Sequence, residues 1–272
     1  MNRAKGWLRS RTPLRRTFSA HPASLLSTIP KSVDHLSSAP AIFDQGDVGS
    51  CWAHAASRGL AASLALAGNP LGFVPSMDAI YRNARCLMRA AGEVSGTLAD
   101  WGTDPFYGMQ AISQFGIKAM GATVGRYSDC STTTMVREPT LGELEADAMH
   151  LMVGAHQIIS SGAARVEDIC RALAGGCPVI VGVFVDTAFE DWTPSQGPIG
   201  APADPQDPAG GGHALQIDGY DTTASGTRIL TVANSWGEDW GDKGRFLAAP
   251  DWITNDGAGD IYVLSVTSQE AP

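Results

Sequence analysis

Gln45-Gly46-Asp47-Val48-Gly49-Ser50-Cys51-Trp52-Ala53 is the stretch on which the reading of this chain turns. A Gly-containing loop ends at Ser50, a residue that favours helix N-caps. Cys51 then opens an Ala- and Leu-rich run to Ala67, closed by Gly68. Strong helix formers with almost no charge predict a buried central helix. Cys51 falls in its first turn, where unpaired N–H groups and the positive end of the helix dipole favour a thiolate. Alone, the position says little, because cysteine is among the most buried residue types and a lone one in an apolar helix is usually inert.

Two distant segments change that. His213 follows Gly210-Gly211-Gly212 and opens Ala214-Leu215-Gln216-Ile217-Asp218-Gly219-Tyr220, whose alternation predicts a strand. A second apolar run, Arg228 to Asn234, follows the polar stretch Thr222 to Thr227. Two such runs around a short turn predict a hairpin, and a turn centred near residue 224 brings the neighbourhood of His213 opposite that of Asn234. A cysteine nucleophile needs an imidazole to take its proton and return it to a leaving amine. The other ring nitrogen needs an acceptor that fixes its orientation, which an Asn carbonyl supplies without adding charge.

These motifs resemble those of the papain-like cysteine peptidases, in the same order: Gln45 six residues before Cys51, Gly49 to Ala53, His213-Ala214, Asn234-Ser235-Trp236-Gly237, and Trp240-Gly241-Asp242-Lys243-Gly244. The resemblance runs from about residue 30 to the C-terminus and is loose in the middle. It implies an α+β, two-lobed fold, with a helical lobe, a β-barrel-like lobe and the active-site cleft between them. It also implies Cys51 as nucleophile paired with a His213 imidazolium, and Asn234 orienting that ring under the cover of Trp236. The side chain of Gln45 and the backbone N–H of Cys51 would form the oxyanion hole, with Trp52, Gly212 and Ser235 as supporting residues around the substrate. No cofactor is implied.

The chain departs from the family pattern beside the nucleophile. The usual cysteine three residues before Cys51 is Val48, and its disulfide partner in a Gly-Cys-Asn-Gly-Gly segment is matched best by Thr103 in Trp101-Gly102-Thr103-Asp104-Pro105. Losing both together suits a chain folded in a reducing compartment. His54, one helical turn after Cys51, is read as a packing residue, with a second base or pH sensor as the sharper alternative. Cys86, Cys130, Cys170 and Cys177 form no Cys-x-x-Cys pair, so free buried thiols are expected, although Cys170 and Cys177 could bridge. His150 and His156 are six apart rather than four and lack the adjacent Glu of a zinc-peptidase helix, so no metal site is expected.

Composition is that of a globular protein large enough to bury a sizeable core, with 44% apolar residues among 272 and no apolar run of membrane-spanning length. The net charge of −9 hides an asymmetry. Residues 1–29 carry Arg3, Lys5, Arg9, Arg11, Arg15 and Arg16 with no acid, leaving the remainder at about −15, which argues against nucleic acid as a partner. This head lacks the apolar core of a secretory signal, so a cytoplasmic location or a specialised export route is expected. A disordered tail is its default reading; the sharper one is that it folds over the acidic cleft and blocks it. The excess of Arg over Lys, with abundant Ala and Gly, hints at a GC-rich bacterial genome. Residues 30–272 are expected to form the peptidase domain, mainly helical over 30–165 and β-rich over 166–272. Helices are expected from Pro75 and over Met109–Phe115, Leu141–Ile159 and Val166–Leu173, a surface loop over 121–140, a buried strand over Cys177–Val185, and a connector or cleft wall over Gly197–Gly212. A protein or peptide substrate follows from the resemblance. The alternatives left open are a Cys-His acyltransferase or deamidase, a deubiquitinase-like or double-glycine leader peptidase, and a silent binding protein on the same fold. An Asn followed by Ser-Trp-Gly favours the papain-like pattern over sites ending in Asp.

Overall fold

The structure is a computed structural model and describes residues 4–12, 20–120, 138–139 and 152–267. Helix α1 (Cys51–Leu66) is its axis, buried at every position from Cys51 to Leu64. Its small side chains permit that, since Ala, Gly and Ser let neighbouring elements approach on all sides. Ser50 precedes it as expected but does not cap it with its side chain; its hydroxyl lies 3.3 Å from His54 Nδ1 instead. Helix α2 (Met77–Ala90) does begin with a side-chain cap, from Ser76 to the Ala79 N–H. Helix α3 (Pro105–Phe115) starts with Pro after an Asp104 cap and stops at Gly116, whose φ of 70° only glycine adopts readily.

The sheet is antiparallel and open. Its strands are β1 (Val33–Asp34), β2 (Met152–Gln157), β3 (Val179–Val185), β4 (Gly211–Thr222), β5 (Arg228–Ala233), β6 (Arg245–Ala248) and β7 (Ala258–Thr267), in the order β2-β7-β3-β4-β5-β6 with β1 on β4. The barrel-like lobe expected from the resemblance is therefore a strongly buried sheet that does not close. Helices α4 (Gly162–Ala174), α5 (Thr187–Glu190) and α6 (Pro250–Thr254) complete the fold. One cluster, including Val181, Ile217, Trp236 and Trp252, fills the space between the sheet and α4–α6. A second gathers Cys51, Trp52, Leu60, Ile80 and Ile112 with Ile180, Ala214 and Leu264 from the sheet's other face.

One expected helix is corrected: residues 152–157, the end of the predicted Leu141–Ile159 helix, form strand β2, paired with β7 from Met152↔Thr267 to Gln157↔Tyr262. The outer edge of β7 offers a full ladder of backbone partners, and that long-range pairing overrides local propensity. The rest of that helix, most of the 121–140 loop, His150 and Cys130 lie outside the described residues. The expected hairpin is β4–β5, but its register slips between Ile217 and Gly219, leaving Asp218 unpaired in the ladder. Asp218 turns this irregularity to use. Its buried carboxylate takes Arg58 of α1 at 2.8 Å and Arg245 at 3.7 Å, bracing the cysteine helix against the strand that carries His213.

The described residues of the basic head, 4–12 and 20–29, pack onto the rest of the chain. Pro22–Leu25 forms a 3₁₀ turn, with Ala23 buried in the sheet-side core. Residues 4–10 pass Gly49 just before the N-terminus of α1, and Trp7 joins the second cluster.

Candidate active site

Cys51 sits at the start of α1, and the Ala214 N–H of β4 donates to its Sγ at 3.3 Å, so His213 is the next residue along the strand. His213 Nε2 lies 2.7 Å from Asn234 Oδ1. That leaves Nδ1, buried without a hydrogen-bond partner, as the nitrogen available for the thiol proton. Asn234 Oδ1 also accepts from the Ser235 N–H at 2.8 Å, which holds the amide in place. Trp236 stacks on the imidazole at 4.7 Å between centroids and 24° between planes, shielding the His–Asn pair from water. The β4–β5 ladder ends at the pair Gln216↔Ala233, so Asn234 follows directly after it and reaches His213 through its side chain.

Gln45 lies on the opposite wall. Its backbone and its side-chain Oε1 are held by Ser235, through Gln45 N–H to Ser235 O at 2.8 Å and Ser235 Oγ–H to Oε1. This fixes the amide so that Nε2 faces a peptide carbonyl in the cleft, that of Ala4, at 3.1 Å. Ser235 thus links Gln45 to the His213–Asn234 pair. Trp52 packs beneath, with its ring against Gly108, where any side chain would overlap it. Gly212 lends its carbonyl to the Trp7 N–H at 3.0 Å and is too close to the Trp7 carbonyl to carry a Cβ.

Two features were missed in the sequence. Phe189 of α5 packs edge-on against Trp236 at 5.4 Å and His213 at 6.3 Å, extending the aromatic cover. Its only local sign is the Asp186 cap that starts its short helix. Where the family disulfide is missing, Asp100 forms a polar clasp. Its carboxylate accepts the Gly49 N–H at 3.0 Å and the Tyr81 hydroxyl, which in turn accepts from the Gly102 N–H at 3.1 Å. Arg85 caps the Tyr81 ring at 3.9 Å. The joint loss of both cysteines was the signal that some other tie was needed.

Head residues cover Cys51 and His213. Gly6 packs against Gly49, two residues before Cys51, its carbonyl accepts from the Thr103 N–H at 2.7 Å, and the Leu8 N–H reaches Thr103 O at 3.1 Å. Lys5 pairs with Glu190. Cys51 and His213 are both fully buried as a result. Burial pushes the Cys51 thiol up to about 11 and the His213 imidazole down to about 4, and the Lys5 ammonium lowers His213 further. With the head seated, the expected thiolate–imidazolium pair is therefore held as neutral thiol and neutral imidazole.

His54 is buried, with Nδ1 3.0 Å from Ser50 O, and burial lowers it to about 4. It is a neutral packing group at neutral pH. Cys86, Cys170 and Cys177 are free thiols, so the Cys170–Cys177 bridge is not formed. Among the described residues no cluster of His, Cys, Asp or Glu is placed to hold a metal ion, and no helix is long and apolar enough to cross a membrane.

A family model described as papain family cysteine protease matches residues 100–255. A peptidase C1-like protein of Acanthamoeba polyphaga mimivirus, itself described as uncharacterized, is 27% identical over 235 residues, covering 81% of this chain and 68% of its own length. Among solved structures, xylellain, a cysteine protease from Xylella fastidiosa, superposes with a TM-score of 0.76 at 21% identity over 98% of this chain and 97% of its own. A procathepsin B from Trypanosoma congolense does so with a TM-score of 0.74 at 17% identity, over 98% and 88%. A virus, a bacterium and a trypanosome are represented, so these likenesses do not bear on the bacterial origin that composition suggests.

Proposed function

Because the chain belongs to the papain family of cysteine proteases and is a cysteine peptidase, we propose that it hydrolyses peptide bonds through an acyl-enzyme on Cys51 and is held silent by its own N-terminal head. The observation that carries this reading is the set of contacts joining Cys51 to β4 and His213 to Asn234, with Gln45 aimed at a carbonyl lying in the cleft.

Once the head leaves, water reaches Cys51 and His213, and proton transfer from sulfur to Nδ1 becomes favourable at the helix N-terminus. The thiolate attacks the substrate carbonyl. Gln45 Nε2 and the Cys51 N–H stabilise the developing oxyanion, a contribution worth about 10²–10³ in rate per donor. His213 protonates the leaving amine, and water then releases the acyl group by the reverse proton path, with Asn234 keeping the ring in line.

The test is covalent labelling with a peptidyl epoxide or fluoromethyl ketone. The expected result is a single adduct on Cys51 that Trp7→Ala accelerates and that Cys51→Ala or His213→Ala abolishes. No adduct in either the full chain or Trp7→Ala, together with no cleavage of a peptide library, sinks the reading. Release of ammonia from glutamine substrates would reassign the chemistry to deamidation.

A further inference from the structure

A cavity of about 170 Å³ lies between the end of β3, helix α5, the loop 196–203 and Trp252 of α6. Its floor is Val185, Phe189, Trp192 and Trp252, all buried. Among the described residues, neither Cys51, His213 and Asn234 nor any residue of the head lines it. Phe189 is shared with the aromatic cover, so the cavity adjoins the cleft without belonging to it.

An apolar hollow of this size costs stability in proportion to its volume unless its walls are held apart. Here polar ties hold them. Asp186 Oδ2 accepts the Ala203 N–H at 2.8 Å and the Asp204 N–H at 3.3 Å, and Asp251 Oδ2 accepts the Ala201 N–H at 3.1 Å. Nearby, the Ile199 N–H donates to Leu247 O and the Ala249 N–H to Ile199 O, both at 2.8 Å. The loop is therefore fixed before any ligand arrives. Small-molecule sites are usually of this kind, preformed and mostly apolar with a few placed polar groups. An apolar cavity of about 150 Å³ takes benzene.

The polar groups say what the ligand carries. Trp252 is 1% exposed, yet its Nε1–H has no hydrogen-bond partner. A buried donor left unpaired is costly until an acceptor meets it. Trp192 has no such need, since its Nε1–H donates to Gly197 O at 3.0 Å. Gln196 spends its Oε1 on the Thr193 N–H, which leaves its amide N–H groups as donors at the rim. Asp186 Oδ1 accepts the Phe189 N–H at 3.1 Å, so both oxygens of that carboxylate are engaged and a cation finds little to bind. The same carboxylate repels an anion. A neutral molecule with a flat apolar body and one acceptor satisfies all of these groups, and the aromatic floor favours a ring.

We propose that this cavity binds a small neutral aromatic molecule bearing one carbonyl-type acceptor, with its ring against Phe189, Trp192 and Trp252 and its oxygen on the Trp252 Nε1–H. The test needs no turnover. The full chain is titrated by ligand-observed NMR with acetophenone and with ethylbenzene, which has nearly the same shape but no acceptor. Both should bind saturably, acetophenone roughly three- to tenfold more tightly. Ala188→Phe and Ala201→Phe, which place a ring at the exposed edge of the cavity, should each weaken both probes roughly tenfold or more. Trp252→Phe should erase the advantage of acetophenone while ethylbenzene still binds, whereas a merely loosened pocket would weaken the two alike. Thermal unfolding shows which variants are folded; if Trp252→Phe is not, the affinity ratio in the unaltered chain decides the acceptor. Benzoate, the anionic counterpart, should bind more weakly than acetophenone. No saturable binding of either neutral probe, equal affinity for the two, or binding that survives both filling variants overturns the assignment. So does an advantage that survives Trp252→Phe, or a preference for benzoate.

Discussion

The two walls of the cleft are held by opposite chemistry. Around His213, Trp236, Phe189, Trp240 and Phe246 meet edge to face or tilted at 5.2–5.8 Å, so the support is spread over many apolar contacts. Beside Cys51, the segment before the helix is tied to the facing wall by one carboxylate, Asp100. Distributed packing fails by degrees and through volume. A single acceptor fails at once, because its loss strands the buried Gly49 N–H and unsettles the buried Tyr81 together. The head draws on both walls, since it hydrogen-bonds Thr103 on one side and Gly212 on the other.

The largest effect expected is on the reactivity of the site that these walls enclose. With the head seated, alkylation of Cys51 should keep rising about tenfold per pH unit until pH approaches about 11, because the covered thiol is neutral below that value. Unseating the head with Trp7→Ala should bring the rise to lower pH, as measured by a pH series of labelling rates; an unchanged profile would show that the cover does not control the sulfur. Next comes Trp236→Ala, which should destabilise the protein by about 3–5 kcal/mol in denaturant unfolding. Asp100→Ala should follow at about 1–3 kcal/mol, with reduced peptidase activity in the Trp7→Ala chain. If the pair Val48→Cys/Thr103→Cys forms a disulfide and restores that activity under oxidising conditions, the clasp stands in for the missing bridge. No loss on removing Asp100 would make the two walls equivalent and break the contrast.

The smallest effect belongs to His54. Its folded pKa of about 4 lies below the unfolded value near 6.5, so the unfolded chain binds the extra proton between them. Its contribution is therefore present above pH 6.5 and is lost as pH falls toward 4, and His213 behaves alike while the head is seated. His54→Phe should reduce the steepness of the stability–pH curve in that window by one proton, about 1.4 kcal/mol per pH unit, and leave the pH–rate profile of the uncovered enzyme unchanged.

What could be read from the sequence was what short segments state by themselves. Cys51 at a helix start, His213 at a strand start and Asn234 at the end of its hairpin partner each carry a local pattern, and their order fixed the family resemblance. Strand β2 was misread because its identity comes from β7, more than a hundred residues later. Phe189 and Asp100 were invisible for a similar reason: an aromatic on a short turn and an acid in a loop acquire meaning only from neighbours distant in sequence. Charge and composition made a disordered tail the default reading of the head and a cover over the cleft the sharper one; charge did not reveal that Trp7, rather than an arginine, is the head residue buried against the sheet glycines.

The head is anchored twice, by Trp7 in the cleft and by Ala23 in the sheet-side core. Cleft and head therefore meet at a concentration set by a short tether, in the millimolar range for such lengths, whatever the dilution of the protein. Contacts too weak to hold a free peptide of the same sequence suffice under that condition. A single cut between the two anchors would turn an intramolecular equilibrium into a bimolecular one, and at micromolar protein the released segment would simply diffuse away. Activation would then need no conformational trigger, only a broken chain.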